Sequence, residues 1–201
     1  MMTLSERLRA ALRDGQALAP VLLEHDDGDF ALRAGEPIVP AAVLVPFVDR
    51  PEPTILMILR PETMRRHAGQ IAFPGGRVDP GDDGVVGAAL REAEEEIGMP
   101  RARVDVVGTA DRYRTITGYE VTPVIGVVPP DLPLVPQPAE VADIFEVPLA
   151  YLLEPSNHIE QAVEWQGRER RYFEITWQDR RIWGATAAML VNLGRRLAYP
   201  L

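Results

Sequence analysis

The chain has 201 residues, 46% of them hydrophobic and 25% charged, with a formal net charge of −9 and no cysteine. That size suits one domain with a substantial core. The acidic balance argues against nucleic-acid and anionic-membrane partners, which demand surplus positive charge, and the missing cysteine excludes disulfides, thiolate zinc sites and a cysteine nucleophile.

His25, His67 and His158 are scattered, so a histidine metal site is not expected. All 21 basic residues are arginine; as a bulk feature this reads as coding bias, and single arginines are judged by position. No apolar run reaches the roughly 20 residues that span a bilayer. The opening "MMTLSERLRAALRDG" lacks the apolar core of a signal peptide, so a cytoplasmic setting is expected.

In chain order, "TLSERLRAALRDG" predicts a short helix with a Thr3/Glu6 capping box and Leu4, Leu8 and Leu12 on one face. Residues 15–39 read as irregular, with a solvated acidic run "EHDDGD", so residues 1–39 form an N-terminal helix and extension ahead of a main domain over 40–201. "AAVLVPFV" and "TILMIL" predict two strands joined by a turn at "DRPEP". "VDVVGTADRY" and "EVTPVIGVV" predict further strands. "PPDLPLVPQPAE", with five prolines, must be a loop. "EVPLAYLL" predicts a short helix, and "HIEQAVEW" and "RRYFEITW" a hairpin around "QGRE". "GATAAMLVNLGRRL" predicts a closing helix with Ala187, Leu190, Val191 and Leu197 available for burial. The order implies mixed α/β architecture of the α+β kind, with several antiparallel strands.

"ALREAEEEIGM" is the unusual stretch. A helix over 84–98, stopped by Gly98 and Pro100, gathers Val86, Ala89, Leu90, Ala93 and Ile97 on a core face. Glu92, Glu95 and Glu96 fall at i, i+3 and i+4 and share a separate face; Glu94 points elsewhere and is solvated. Arg91 precedes Glu95 by one turn, where an ion pair can orient it. Carboxylates near a helix C-terminus are disfavoured by the helix dipole as well as by each other. A hard divalent cation resolves the conflict: Mg²⁺ or Mn²⁺ takes carboxylate oxygens and commonly bridges to substrate phosphates. An EF-hand reading of "DPGDDG" fails, because Gly81 and Leu90 occupy ligand positions.

"GGRVDPGDDGVVGAALREAEEEIGM" resembles the signature of the Nudix hydrolases, G-x5-E-x7-R-E-U-x-E-E-x-G-U, with U bulky and apolar. Gly76 matches the first glycine, and Arg91, Glu92, Glu95, Glu96 and Gly98 match the second half at every spacing. The intervening loop is one residue longer and carries Asp82 and Asp83 where the family has glutamate; Ala93 is smaller than the usual residue. Upstream, "LRPETMRRHAGQIAFPGG" resembles R-[SA]-x3-R-x3-G-x3-F-P-G-G of the coenzyme A pyrophosphatase subgroup through Arg60, Arg65, Gly69 and Phe73 to Gly76, with Pro61 replacing the small residue.

The resemblance covers roughly residues 40–197 and implies a Nudix fold, a mixed sheet sandwiched between helices. It implies metal-dependent hydrolysis of a diphosphate in coenzyme A or its thioesters, giving 3′,5′-ADP and 4′-phosphopantetheine. Glu92, Glu95, Glu96 and the Gly75 carbonyl are then metal ligands. Arg91 supports them, and one of the glutamates or Glu140 is the base. Arg60, Arg65, Gly69, Phe73 and Gly76 bind substrate, and Arg60, Arg65, Arg66 and Arg77 concentrate charge suited to phosphates. A nucleoside diphosphate derivative such as ADP-ribose is the alternative substrate; a non-catalytic Nudix-fold binding protein is the alternative class. The partner is a small diphosphate, neither nucleic acid nor membrane, with a homodimer left open.

Overall fold

A computed structural model of the protein describes residues 2–15, 18–20, 38–64, 67–115, 117–165 and 167–197. Its centre is β1 (Val39–Val48), whose alternate side chains are buried on both sides. Ala41, Val45 and Phe47 enter one apolar cluster, and Ala42, Leu44 and Val48 enter the other. A strand apolar on both faces belongs inside a layered sheet. β7 (Tyr119–Val128) runs parallel to it over its whole length, from Val39 opposite Tyr119 to Val48 opposite Val128. β5 (Asp105–Thr109) and β6 (Tyr113–Arg114) pair antiparallel with the far edge of β7.

The other side of β1 is split. β2 (Thr54–Leu59) meets β1 only at Phe47–Ile55 and Val48–Thr54, then diverges. β3 (Ile71–Ala72) continues along β2 at Ile58 and Leu59, and β4 (Gly75–Arg77) continues along β1 at Ala41 to Val43. "FPGG" therefore crosses the split, with the Leu44 N–H donating to the Pro74 carbonyl at 2.8 Å. β8 (Asp143–Pro148) covers the outer edge of β2.

One face carries α2 (Gly84–Ile97), which packs Ala88, Ala89, Ala93 and Ile97 against Ala42, Leu44 and Val124. The small residues let the helix approach closely. The other face carries α1 (Leu4–Asp14), α3 (Leu149–Leu153) and α4 (Ala185–Leu197). The α1 capping box is formed, and Leu4, Leu8 and Leu12 are buried. Arg196 on α4 pairs with Asp111 and also donates to the Gly15 carbonyl, joining α4 to the end of α1 and to the β5–β6 connection. No helix among the described residues is long and apolar enough to cross a membrane.

Three strands form a second sheet: β9 (Ile159–Trp165), β10 (Arg168–Trp177) and β11 (Arg180–Trp183), in the order β11-β10-β9. Ile175 and Ile182 bury it. Its β10–β11 end is latched to β8: Arg180 lies 3.7 Å from the Phe145 ring centroid and 2.7 Å from Asp143, and Trp177 stacks on Phe145.

Two expectations need correction. "EVPLAYLL" is not one helix: Glu146 to Pro148 complete β8 against β2, and the helix starts at Leu149. The hairpin is longer than expected, because Arg168 and Glu169 already pair within β10 opposite Trp165 and Glu164, and a third strand, β11, follows it. Most of the 15–39 extension lies outside the described residues. We expect Leu8→Ala to destabilise the protein by roughly 2–4 kcal/mol, as for other buried leucines, seen as a lower urea midpoint at unchanged slope. A loss below ~0.5 kcal/mol would show that α1 adds nothing to the domain.

Candidate active site

The connection from β4 to α2 is held by Arg91. Its Nε and Nη2 grip Asp82 at 2.8 and 3.0 Å, and Nη2 also donates to the Arg77 carbonyl at 3.1 Å. Nη1 reaches Glu92 and Glu95, each at 3.0 Å. Asp82 in turn accepts the Asp79 N–H at 2.8 Å. These bonds, Arg91's first, hold the Asp82 carboxyl down to about 2. Asp82 was not among the sequence-derived site residues. It stands at the motif's middle-glutamate position, and the extra loop residue accompanies a side chain one methylene shorter. That near-match was the available signal.

Helical periodicity set the three motif glutamates on one face apart from the core, and along that face they lie at different depths. Glu95 is 60% exposed at its side chain, Glu92 is half-buried, and Glu96 is 2% exposed. Glu96 accepts the Gly75 N–H at 3.0 Å and faces Arg60 Nη2 at 3.5 Å. Desolvation pushes its carboxyl up to about 7, with Arg60 and Gly75 opposing the rise. Burial also raises Glu92, against the pull of Arg91. Glu94 is exposed and pairs with Arg101, as expected of a solvated position. Ala88, one turn before Glu92, is fully buried in the core.

The proline-rich loop docks on the end of this helix. Val135 N–H donates to the Ile97 carbonyl at 3.0 Å, and Gln137 N–H to the Glu96 carbonyl at 2.8 Å. Gly98 adopts the left-handed conformation that closes the helix, φ 66°. Glu140 follows in a turn closed by its N–H on the Gln137 carbonyl, and the Ala142 N–H then donates to the Leu59 carbonyl at 2.8 Å. The Glu140 carboxylate comes close enough to raise both Glu92 and Glu96.

The upstream motif is placed unevenly. Arg60 is directed at Glu96 and touches Met64 Sδ at 3.9 Å. Arg65 and Arg66 lie outside the described residues. Gly69 turns at φ 65°, where a Cβ would meet the Glu62 carboxylate. Phe73 is 2% exposed and packed in the core at the start of the turn. Gly76 lies against Glu92: an added Cβ would stand 2.3 Å from Oε1.

A divalent cation suits this donor set. The carboxylates are hard oxygen donors, and the missing Cβ at Gly76 lets the Glu92 carboxylate pack directly against β4, which a side chain there would prevent. As they stand, no three acidic side chains among the described residues are grouped tightly enough to hold an ion. Arg91 engages Glu92 and Glu95, while Gly75 and Arg60 engage Glu96.

A split mixed sheet between helices, with a carboxylate helix beneath a Gly-Gly edge strand, defines a class of small hydrolase fold. The NUDIX domain family model matches residues 38–167. The chain is 44% identical over 157 residues to the Nudix hydrolase NudL of Photorhabdus laumondii, covering 78% of this chain and 84% of that protein. It is 42% identical over 157 residues to NudL of Escherichia coli, covering 78% and 82%. The crystal structure of the Nudix hydrolase RenU from M. smegmatis is similar with a TM-score of 0.48 and 26% identity, over 57% of this chain and 73% of that one. The chain belongs to the Nudix family, and is a hydrolase of a diphosphate linkage.

Asp82→Asn should lower stability at neutral pH. The folded carboxyl titrates near 2, below its unfolded value of about 4. Its stabilisation is therefore complete above about pH 5 and is lost as the pH falls through that of the folded group. Urea midpoints of wild type and variant should differ by a constant amount from about pH 7 to 5 and converge between roughly pH 4 and 2. A difference independent of pH would remove Asp82 from the Arg91 lock.

Proposed function

We propose that the enzyme hydrolyses the diphosphate of coenzyme A or its thioesters, releasing 3′,5′-ADP and 4′-phosphopantetheine or its acyl form. The observation that carries this reading is the contact of Arg60 with Glu96 across the Gly75 turn. It joins the first residue of the R-x4-R-x3-G-x3-FPGG segment to the glutamate helix, so the subgroup motif and the Nudix signature supply one site. Arg65, outside the described residues, is the motif's second cation and is proposed to contact substrate phosphate, with Gly69 and Gly76 shaping the approach.

Nudix hydrolases generally use divalent cations; here Mg²⁺ or Mn²⁺ is proposed, held by Glu92, Glu95, Glu96 and the Gly75 carbonyl. When bound, such an ion neutralises phosphoryl oxygens and makes a coordinated water more acidic. Glu95, whose carboxylate is exposed and held among the described residues only at Arg91, would be free to turn to such an ion, and the Arg91 contacts to Asp82 and the Arg77 carbonyl hold the loop independently of it. Arg60 offsets the charge of Glu96 where water does not reach it. Glu140, exposed on its turn and outside the Arg91 network, takes the proton of the attacking water.

Glu95→Gln and Glu96→Gln should each lower kcat by roughly 10²- to 10⁴-fold with the fold intact, the scale of losing a major polar group from a site. Near-wild-type rates for both at saturating Mg²⁺ would end the ligand assignment. Millimolar Mg²⁺ or Mn²⁺ should raise the Tm above its value in chelator, by binding the native state. An unchanged Tm under conditions that support activity would count against the site. Substrate is settled by mass spectrometry of products from coenzyme A, ADP-ribose and a nucleotide sugar. Coenzyme A should give both named products with the highest kcat/KM; faster turnover of ADP-ribose would replace the coenzyme A reading.

A further inference from the structure

Strand β4 borders the split sheet, with β1 as its ladder partner. Successive residues on a strand face opposite ways. Gly76 faces α2 and Glu92. Arg77, opposite Ala41, lies on the other face, where Val121 and Tyr119 pack with Ala41 in the apolar cluster that Val45 and Phe47 also enter.

The Arg77 side chain is exposed, yet it is held. Its guanidinium lies 5.5 Å from the Tyr119 ring centroid, and Nη2 and Nε donate to the Tyr119 hydroxyl at 2.8 and 3.2 Å. Among the described residues it pairs with no carboxylate, whereas Arg60 and Arg91 are both spent on acids. A neutral phenol fixes direction without cancelling charge, and leaves guanidinium N–H groups for a ligand. The position is fixed to the site as well: the Arg77 carbonyl accepts from Arg91, and Gly76 touches Glu92.

We propose that Arg77, oriented by Tyr119, reads a phosphomonoester of the substrate that lies beyond the scissile diphosphate. This deepens the reading above and rests on its placing of the diphosphate against β4. A nucleotide whose diphosphate lies on the glutamate side of this edge strand would then carry its remaining phosphate past the strand, toward the face on which Arg77 lies. The cation that meets it there is Arg77, not Arg60, which Glu96 already engages. Tyr119 is the positioning residue.

The test is equilibrium binding of adenosine 3′,5′-bisphosphate and of AMP, by calorimetry in excess Mg²⁺. Wild type should prefer the bisphosphate by about ten- to hundredfold, the value of a charge-assisted contact. Arg77→Ala should erase that preference while changing AMP affinity less than about twofold; the variant keeps the carbonyl that Arg91 uses. Arg77→Lys should restore part of the preference, and Tyr119→Phe should reduce it. Equal affinity of wild type for both ligands, a preference that survives Arg77→Ala, or equal weakening of both ligands would each overturn the proposal. Coenzyme A turnover by wild type is scored separately. A preference lost with Arg77 in an enzyme that spares coenzyme A refutes the substrate reading alone. Coenzyme A turnover with a preference indifferent to Arg77 refutes this inference alone.

Discussion

Burial of the Glu96 carboxylate is the constraint around which the structure is arranged. The group sits at the end of α2 where the helix dipole is already negative, and it is removed from water. Left alone, it would protonate or destabilise the fold. Its compensation comes from separate parts of the chain. Gly75 donates an N–H and Arg60 faces the carboxylate, while Gln137 binds the Glu96 backbone carbonyl. Each contact requires a larger feature. Gly75 is in reach because β1 and β2 separate and "FPGG" crosses the opening. Arg60 follows directly on β2, and Gln137 belongs to the loop folded over the helix end. One acidic side chain thus ties strand divergence, turn and loop together.

Arg91 does the complementary work at the outer carboxylates. It holds Asp82, Glu92 and Glu95 while anchoring the end of β4 through the Arg77 carbonyl. A guanidinium can do this because its donors are distributed in a rigid fork; an ammonium has no such plane. Its bonds to Asp82 and to the Arg77 carbonyl come from Nε and Nη2, whereas Glu92 and Glu95 are met by Nη1, so the loop is supported by different donors from those that face the helix carboxylates.

Much of this was legible in the sequence. Apolar periodicity located α1, α2 and α4, and compact apolar runs marked β1, β2, β5 and β7, because burial imposes a period of 3.6 or 2 on side chains; the two-residue β3 and the glycine pair of β4 carry no such pattern. The same logic set Glu96 beside Glu92 and Glu95, apart from the core face, but it does not give depth: nothing local announces that Gly75 and Arg60 will meet Glu96 out of water. β11 was missed because "RRIW" is short and only Ile182 is buried. In "EVPLAYLL" the alternation of β8 runs straight into the apolar residues of α3, and the boundary depends on pairing with β2. Asp82 was visible as a position, but its function was not, since the lock exists only when Arg91 folds back from the helix.

The proline-rich loop shows what composition leaves unsaid. Five prolines between residues 129 and 140 exclude regular structure, and a loop was the right reading. Proline also removes N–H donors, so those that remain are few. Val135 and Gln137, on either side of Pro136, spend theirs on the Ile97 and Glu96 carbonyls. These are among the groups that a helix C-terminus leaves unsatisfied. Residues two apart in an extended segment point the same way, so the alternation of proline and non-proline aims both donors at the helix. Restricted φ angles lower the entropy lost in holding that shape. The segment therefore acts as a stiff cap, setting where Glu140 emerges relative to Glu92 and Glu96. A flexible loop of the same length would leave the Glu140 carboxylate free to wander, and the fixed spacing through which it raises Glu92 and Glu96 would be lost.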